Sequence, residues 1–544
     1  MKTKLLSCLT KVFADQEPVS ENLPISILEG ETASFQVAVS TNCIVEVSAS
    51  APGFQVQVRE VRQVPVGRPC SYGLDDDDYL RKTPGLYPDL LQEMPADGST
   101  RIGGWWKSFW IDAVPEEGLA SGDYKVTVKV CENEWENKET AELEQTIHYI
   151  AKSLPQQKLI QTRWFHTDCL ADYYHVEVFS EEYWRIVENF AKAAVEMGVN
   201  MLLTPQFTPP LDTQVGGERT TVQLVDVVKE NGVYSFNFEK LERWVAMCKR
   251  IGIRYYEMSH LYSQWGTNKA PKIMATVDGV YGKLFGWDDV ATDAPYREFL
   301  ACYLPQLMAK LKELGIKDNC RFHIMDEPHG EEMLRTYLQQ KAQVEPYIEG
   351  CIIMDALSEF SFFEAGAVAS PAVITSSSDL PKFKELKDDV WLYYCCGPEK
   401  DGSNVFIAMP AYRTRILGVQ LYLYKSEGFL QWGYNFYNSQ LSKKKIDPYA
   451  ITDAEESFPA GDAFVVYPGP DGNPRHSIRY VMLRQAMCDL RALEMLESLV
   501  GREKVVAMIH EGLDSEITLM SYPRTNEYLM NLRAAVNAEI AKNL

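Results

Sequence analysis

Arg321-Phe-His-Ile-Met-Asp-Glu-Pro328 is a short apolar run that meets two adjacent carboxylates and then a proline. Proline cannot donate to a strand ladder, so a buried strand is expected to stop here. On that reading Asp326 and Glu327 stand at the tip of a strand, where barrels and open sheets carry their chemistry. The alternative is a solvated turn, because all three terminal residues favour turns. The neighbouring sequence decides between these readings.

Outward from this stretch, short apolar runs alternate with longer segments of helical period, beginning at Leu154-Pro155. Strands are expected at Leu159–His166, Asn200–Thr204, Arg254–Met258, Arg321–Met325, Cys351–Asp355, Ala372–Ser376, Val390–Cys395 and Gly428–Tyr434. Between them, Tyr183, Val187, Phe190, Ala194 and Met197 share one helical face, as do Leu241, Trp244, Cys248 and Ile251. A last helix is expected to begin near Ser477 and to turn Leu483, Met487, Leu490 and Leu493 inward. Eight strands with intervening helices predict a (β/α)8 TIM-type barrel. A doubly wound open sheet is the alternative, but no glycine-rich phosphate turn follows the first strand.

Upstream, Ala33–Ser40, Phe54–Val58 and Tyr124–Val130 alternate apolar and polar residues, which predicts a β-sandwich with one wet face per sheet. Ser71–Leu91, with Asp75-Asp-Asp-Asp78, reads as a long irregular loop. The four aspartates lack the alternating ligand spacing of a calcium loop. Trp105-Trp106 before Phe109 and Trp110 offer a sugar platform as one reading, but sandwich core is the favoured one. Downstream, Leu529, Leu532, Val536 and Ile540 keep helical spacing and predict a helix packed on the barrel. The expected division is residues 1–152 for the sandwich, 153–500 for the barrel and 501–544 for a helical C-terminal extension.

Composition narrows the function. Lys plus Arg total 54 against 76 Asp plus Glu, a formal net charge of −22. Such a surface repels phosphate backbones and anionic membranes, so neither nucleic acid nor membrane is expected as a partner. The N-terminal apolar patch is too short for a secretory leader, and no later run could span a bilayer. Twelve scattered cysteines without a Cys-x-x-Cys pair fit reduced thiols, so a cytoplasmic location is expected. No His-x-His or His-Glu-x-x-His spacing occurs, and neither metal nor cofactor is expected. The exposed sandwich edges permit a homodimer.

The expected strand ends deliver Trp164, His166 and Asp168, then Trp265, then Asp326 and Glu327, then Asp355, then Tyr393 and Tyr394, and finally Trp432 and Asn435. Rings, amides and carboxylates are suited to gripping a sugar, since rings stack on a pyranose face while polar groups reach its hydroxyls. Glycoside hydrolysis normally places two carboxylates across the scissile bond, about 5–5.5 Å apart for retention. Chain neighbours, with Cα atoms about 3.8 Å apart, approach the sugar from one side. A substrate that supplies its own nucleophile, a 2-acetamido carbonyl oxygen, resolves this.

Phe322-His-Ile-Met-Asp-Glu-Pro-His329, Trp164-Phe-His-Thr-Asp-Cys169 with Tyr173-Tyr174, Gly428-Phe-Leu-Gln-Trp-Gly-Tyr-Asn435 and Phe464-Val-Val-Tyr-Pro-Gly-Pro-Asp-Gly472 carry a resemblance. Together, with a looser match at Tyr87-Pro-Asp89, they resemble the domain of unknown function 4091 group, which is similar to glycoside hydrolase family 123. The resemblance spans roughly residues 155 to 500. It implies a sandwich followed by a barrel and a β-N-acetylgalactosaminidase-like retaining exo-hydrolase acting on an oligosaccharide or glycoconjugate. It also implies Glu327 as acid/base and Asp326 as the residue that orients the acetamido group. Trp432 would lie under the sugar and Tyr393 or Tyr394 on the acetamido carbonyl. Two alternatives stand beside this: a conventional glycosidase using Asp168 or Asp355 on a non-acetamido sugar, and an inactive carbohydrate-binding protein.

Overall fold

The computed structural model describes residues 1–133, 139–266 and 268–544. The N-terminal part holds two five-stranded sheets. In the first, Lys2–Ser7, Ala33–Ser40, Trp106–Pro115, Phe54–Val66 and Gly85–Glu93 lie side by side. In the second the order is Ile25–Glu29, Thr140–Ser153, Gly122–Glu132, Ile44–Ser50 and Ser99–Arg101. All pairs are antiparallel except Thr140–Ser153 with Ile25–Glu29. The sheets face each other, with the Phe54 ring of one edge-on to Tyr124 and Tyr149 of the other.

The second sheet keeps a wet face, as its alternating burial shows. The first does not, contrary to expectation: Ala33–Val39 is buried throughout. Its polar positions are satisfied internally. Ser34 Oγ donates to Asp112 (2.6 Å), and Gln36 Nε2 donates to the carbonyls of Ser7 and Thr10. This face lies against the start of the long helix Ile478–Val500, where Arg59 meets His476 and Cys8 meets Gln485. Alternation reports a difference in polarity between two faces, not exposure of either.

Three further expectations change. The loop after Ser71 ends at Thr83-Pro84, because Gly85–Glu93 is a strand. Pro88 is tolerated there because this strand lies at the sheet edge and the register shifts beside it. Trp106, Phe109 and Trp110 are core, but Trp105 is exposed. Asp76 and Asp78 of the acidic run face Arg413, and Tyr412 donates to Asp78.

The barrel is closed by eight parallel strands, in sequence order Ile160–Arg163, Met201–Thr204, Tyr255–Met258, Cys320–Phe322, Ile352–Leu357, Ser370–Ile374, Trp391–Tyr393 and Gly428–Gln431. The first and last pair in register from Ile160 opposite Gly428 to Arg163 opposite Gln431. Helices follow the strands along the chain. The fourth strand stops at Phe322, three residues earlier than its apolar run implied, so His323 to Glu327 form the loop above it.

Barrel strands two and three are followed by hairpins that sequence reading did not anticipate. Asp226–Glu230 with Val233–Asn237, and Ile273–Val277 with Val280–Phe285, join in one four-stranded sheet. The C-terminal helix Asn526–Lys542 turns Leu529, Leu532, Val536 and Ile540 inward. It packs on the long helix and also on the sandwich strand Ile25–Glu29, not on the barrel alone. There Arg533 pairs with Asp489 and Glu31, and Asn537 Nδ2 donates to Ser26 Oγ.

Candidate active site

The carboxyl ends of the barrel strands surround a pocket of about 220 Å³. Trp164 enters after strand one, Asp212 and Trp265 come from the loops after strands two and three, and Asp326 and Glu327 follow strand four. Ala356 comes from strand five, and Tyr393 to Cys396 from the end of strand seven. Leu430 and Trp432 come from strand eight, and Gln440, Phe458 and Asp462 from the long segment after it.

Asp326 and Glu327 both line this pocket. Glu327 adopts a φ of 42°, a left-handed conformation uncommon for a residue with a Cβ. Its Oε1 accepts a hydrogen bond from the Tyr393 hydroxyl at 2.9 Å. The Asp326 carbonyl accepts from the Trp265 backbone N–H at 3.2 Å, which ties the two loops together. No hydrogen-bond donor meets the Asp326 carboxylate among the described residues. Burial, and then the charge of Glu327, push the Asp326 pKa well above the usual carboxylate range. Burial also raises Glu327, while the Tyr393 hydroxyl and His329 oppose the rise. Two acids so close cannot both ionise freely, and the pair titrates as a unit.

Below the dyad lies a charged floor. His323 Nδ1 meets Asp355 Oδ1 at 2.8 Å, and its Nε2 meets Glu257 Oε1 at 2.7 Å. Burial alone would favour a neutral ring, but hydrogen bonds and charge from both carboxylates outweigh it and raise His323 to about 10. His323 is therefore an imidazolium, stacked on His260 with centroids 4.3 Å apart. Glu257 also accepts from Trp164 Nε1 at 2.8 Å and from the Thr162 hydroxyl, so the pocket tryptophan is anchored from beneath. His260, His323 and Asp355 have donor atoms within 4.8 Å of one another. They do not fit a metal ion, because both His323 nitrogens are engaged by carboxylates.

Seven of the ten residues expected at the site line the pocket: Asp326, Glu327, Trp164, Trp265, Tyr393, Tyr394 and Trp432. Strand alternation separates the two tyrosines. Tyr393 turns inward to Glu327, whereas the Tyr394 ring packs edge-on against Phe429 at 4.9 Å. Trp432 is fixed by its Nε1 donating to Asp462 Oδ2 (2.9 Å) and by Phe436 and Phe458 edge-on to its ring.

The other three sit behind the wall. Asp355 is fully buried beneath the dyad, where Tyr337 OH and the Ile324 N–H also donate to it. His166 Nε2 donates to the Trp432 carbonyl at 2.9 Å, and its Nδ1 accepts from Arg219, which fixes a neutral ring. Burial and the Arg219 charge keep its pKa well below the usual value. Asn435 spans the His166 backbone, accepting from its N–H and donating to its carbonyl. These residues position the wall and do not face the cavity. Asp168 is likewise closed off in a two-pronged ion pair with Arg219.

Sequence reading missed Asp212 and Asp462. Burial raises Asp212 to about 6 and Asp462 to about 7. Both lie in irregular segments without periodicity, so no local signal marked them. Glu257 did carry one: a lone carboxylate inside the Tyr255–Met258 strand.

The model of the glycoside hydrolase 123 catalytic domain matches residues 164–496. The chain belongs to glycoside hydrolase family 123. Across its whole length it is similar to a solved family 123 glycoside hydrolase from Clostridium perfringens, described for the details of glycolipid glycan hydrolysis. That likeness has a TM-score of 0.72 at 14% identity and covers 100% of this chain and 97% of the other. A β-glucuronidase from Parabacteroides merdae is more distant, with a TM-score of 0.33 at 10% identity over 83% of this chain and 50% of that one. No curated protein matches the chain. Membership in family 123 makes this protein a glycoside hydrolase and the pocket the place to seek its chemistry.

Proposed function

We propose that this hydrolase, built on a (β/α)8 TIM-type frame, removes terminal β-linked N-acetylhexosamine with retention of configuration, N-acetylgalactosamine foremost. The acetamido group of the substrate is the nucleophile. The observation that carries this reading is that the chain neighbours Asp326 and Glu327 both line the same pocket. Asp168 and Asp355, the partners of a conventional mechanism, are held in buried ion pairs.

In this mechanism the sugar stacks on Trp432, whose ring orientation is set by Asp462, Phe436 and Phe458. The two acids share one proton; in the reactive form Glu327 carries it and Asp326 is the ionised partner, and burial raises the pKa of both acids. Glu327 donates that proton to the glycosidic oxygen as the bond to the anomeric carbon breaks. The acetamido carbonyl oxygen attacks the same carbon from the opposite face. Asp326 accepts the acetamido N–H and stabilises the positive charge that develops on the ring so formed. Tyr393, released from Glu327, donates to the acetamido oxygen and orients it. Glu327 then takes a proton from water, which opens the ring and restores the configuration. At about 220 Å³ the pocket lies below the ~300–1,000 Å³ of drug-sized sites, which suits one terminal sugar.

A conventional mechanism would have to recruit Asp212 or Asp462 instead, since both line the pocket. Each already accepts a hydrogen bond there, Asp212 from the Leu441 N–H and Asp462 from Trp432. Hydrolysis of nitrophenyl β-glycosides with and without the acetamido group separates the two readings. The expected outcome is release from the acetamido sugars alone. Glu327→Gln should lower kcat by about 10²–10⁴-fold or more. Asp326→Asn should be more damaging than Asp462→Asn or Asp212→Asn. Efficient cleavage of a plain β-galactoside would exclude the acetamido nucleophile. The Clostridium relative's link to glycolipid glycans makes a glycolipid glycan the first natural substrate to try.

A further inference from the structure

Cys395 and Cys396 follow strand seven directly and both line the pocket beside Glu327 and Tyr393. Their sulfur atoms lie 4.0 Å apart. Cys396 is exposed and Cys395 is half-buried, so a small reagent entering the pocket reaches both. The segment is held in place: the Cys395 N–H donates to the Gly397 carbonyl at 3.1 Å, and Asn404 Nδ2 donates to the Cys395 carbonyl at 3.1 Å. Nothing in the proposed hydrolysis uses a thiol.

We propose that this adjacent pair is a dithiol site for trivalent arsenicals, neutral thiophilic molecules that bridge two sulfur atoms, and that filling it closes the sugar pocket. Two features select this ligand class over a divalent metal ion. A tetrahedral zinc ion needs four donors. Among the described residues, the one trio of donor atoms within 4.8 Å is the buried His260, His323 and Asp355, which excludes both thiols. The surroundings also keep the Cys395 thiol protonated: its contact with the Cys396 sulfur, burial and the charge of Glu327 push Cys395 well above its usual pKa. A neutral arsenical needs no net charge change on binding. With phenylarsine oxide, two S–H bonds and the arsenic–oxygen double bond break, and two As–S bonds form. Both protons leave on the oxygen as one water molecule, and arsenic remains trivalent throughout.

The proposal rests on the pocket's geometry and is independent of the amino-sugar reading, so its test reads binding directly. Full-length native protein is titrated with phenylarsine oxide and followed by intact-mass spectrometry, with hydrolysis of the best glycoside measured in parallel. Wild type should take up one equivalent, stable to a monothiol and removed by a small dithiol, and its hydrolysis should fall with occupancy. Cys395→Ser and Cys396→Ser should each weaken uptake by at least about 100-fold, because the second As–S bond gains from the high effective concentration of a tethered thiol. Cys302→Ser, which removes an exposed thiol elsewhere, should bind like wild type. Wild-type uptake in either pocket variant, or uptake only after denaturation, would overturn the proposal. Preference for Zn²⁺ over the arsenical at equal concentration would overturn the choice of ligand class.

Discussion

Glu327 holds its carboxyl in the pocket from a left-handed backbone immediately before Pro328, a conformation that surrounding structure must enforce. One of those constraints is the Tyr393 hydroxyl, which donates to the carboxylate and so favours its charged form. Removing that donor makes ionisation harder. Tyr393→Phe should therefore move the basic limb of the kcat/KM pH profile to higher pH, because Glu327 of the free enzyme keeps its proton further into the alkaline range. The same variant should lower kcat by about 10-fold or more, since the acetamido oxygen loses its donor. A profile whose basic limb stays in place would separate Tyr393 from the acid. The carboxylate pair itself was legible from its position after an apolar run. Which of Tyr393 and Tyr394 reaches Glu327 was not, because the choice rests on the pleat phase at the end of a three-residue strand.

At the scale of elements, helices were easier to read than loops. The faces of Glu181–Glu196 and Ile478–Val500 follow the helical period, and Ser180 and Ser477 cap them by accepting from the N–H groups of Tyr183 and Tyr480. The hairpins after barrel strands two and three carried a signal that went unused. Asn231-Gly232 and Asp278-Gly279 are two-residue turn pairs, and all four residues adopt positive φ. Close packing between elements is invisible in sequence but sharp in the structure. A Cβ at Gly418, in the helix Leu417–Leu423, would lie 2.0 Å from the Ala486 carbonyl oxygen of the long helix. Backbone cannot yield as a flexible side chain would, so Gly418→Ala should cost about 3 kcal/mol or more. Urea denaturation should show this as a lower midpoint with an unchanged slope.

At the scale of the whole molecule, the buried Asp89–Arg479 pair is among the ion pairs that join the sandwich to the later part of the chain. Asp89, on the sandwich edge strand, accepts from Arg479 at 2.9 and 2.8 Å and from the Tyr467 hydroxyl at 2.7 Å. Arg479 also donates to the carbonyls of Gly461 and Phe464, next to Asp462 of the pocket wall. Truncating the carboxylate leaves a buried guanidinium uncompensated, so Asp89→Ala should cost about 3–5 kcal/mol. Because the pair ties a sandwich strand to the pocket segment, the variant should also raise KM for the glycoside while sparing the chemistry at Glu327. An unchanged KM with lowered thermal stability would confine Asp89 to a structural part.

Local pattern was sufficient for the eight barrel strands, the long amphipathic helices and the carboxylate pair, because each rests on the periodicity of a single segment or on residues adjacent in the chain. The motifs also sufficed to bring family 123 into view. Only the tertiary structure decided that Asp355, His166 and Asn435 stand behind the pocket, that Asp212 and Asp462 enter it, and that the polar positions of Ala33–Val39 are buried. These outcomes depend on which segments meet across hundreds of residues, and burial, pKa and hydrogen-bond partners are properties of that meeting.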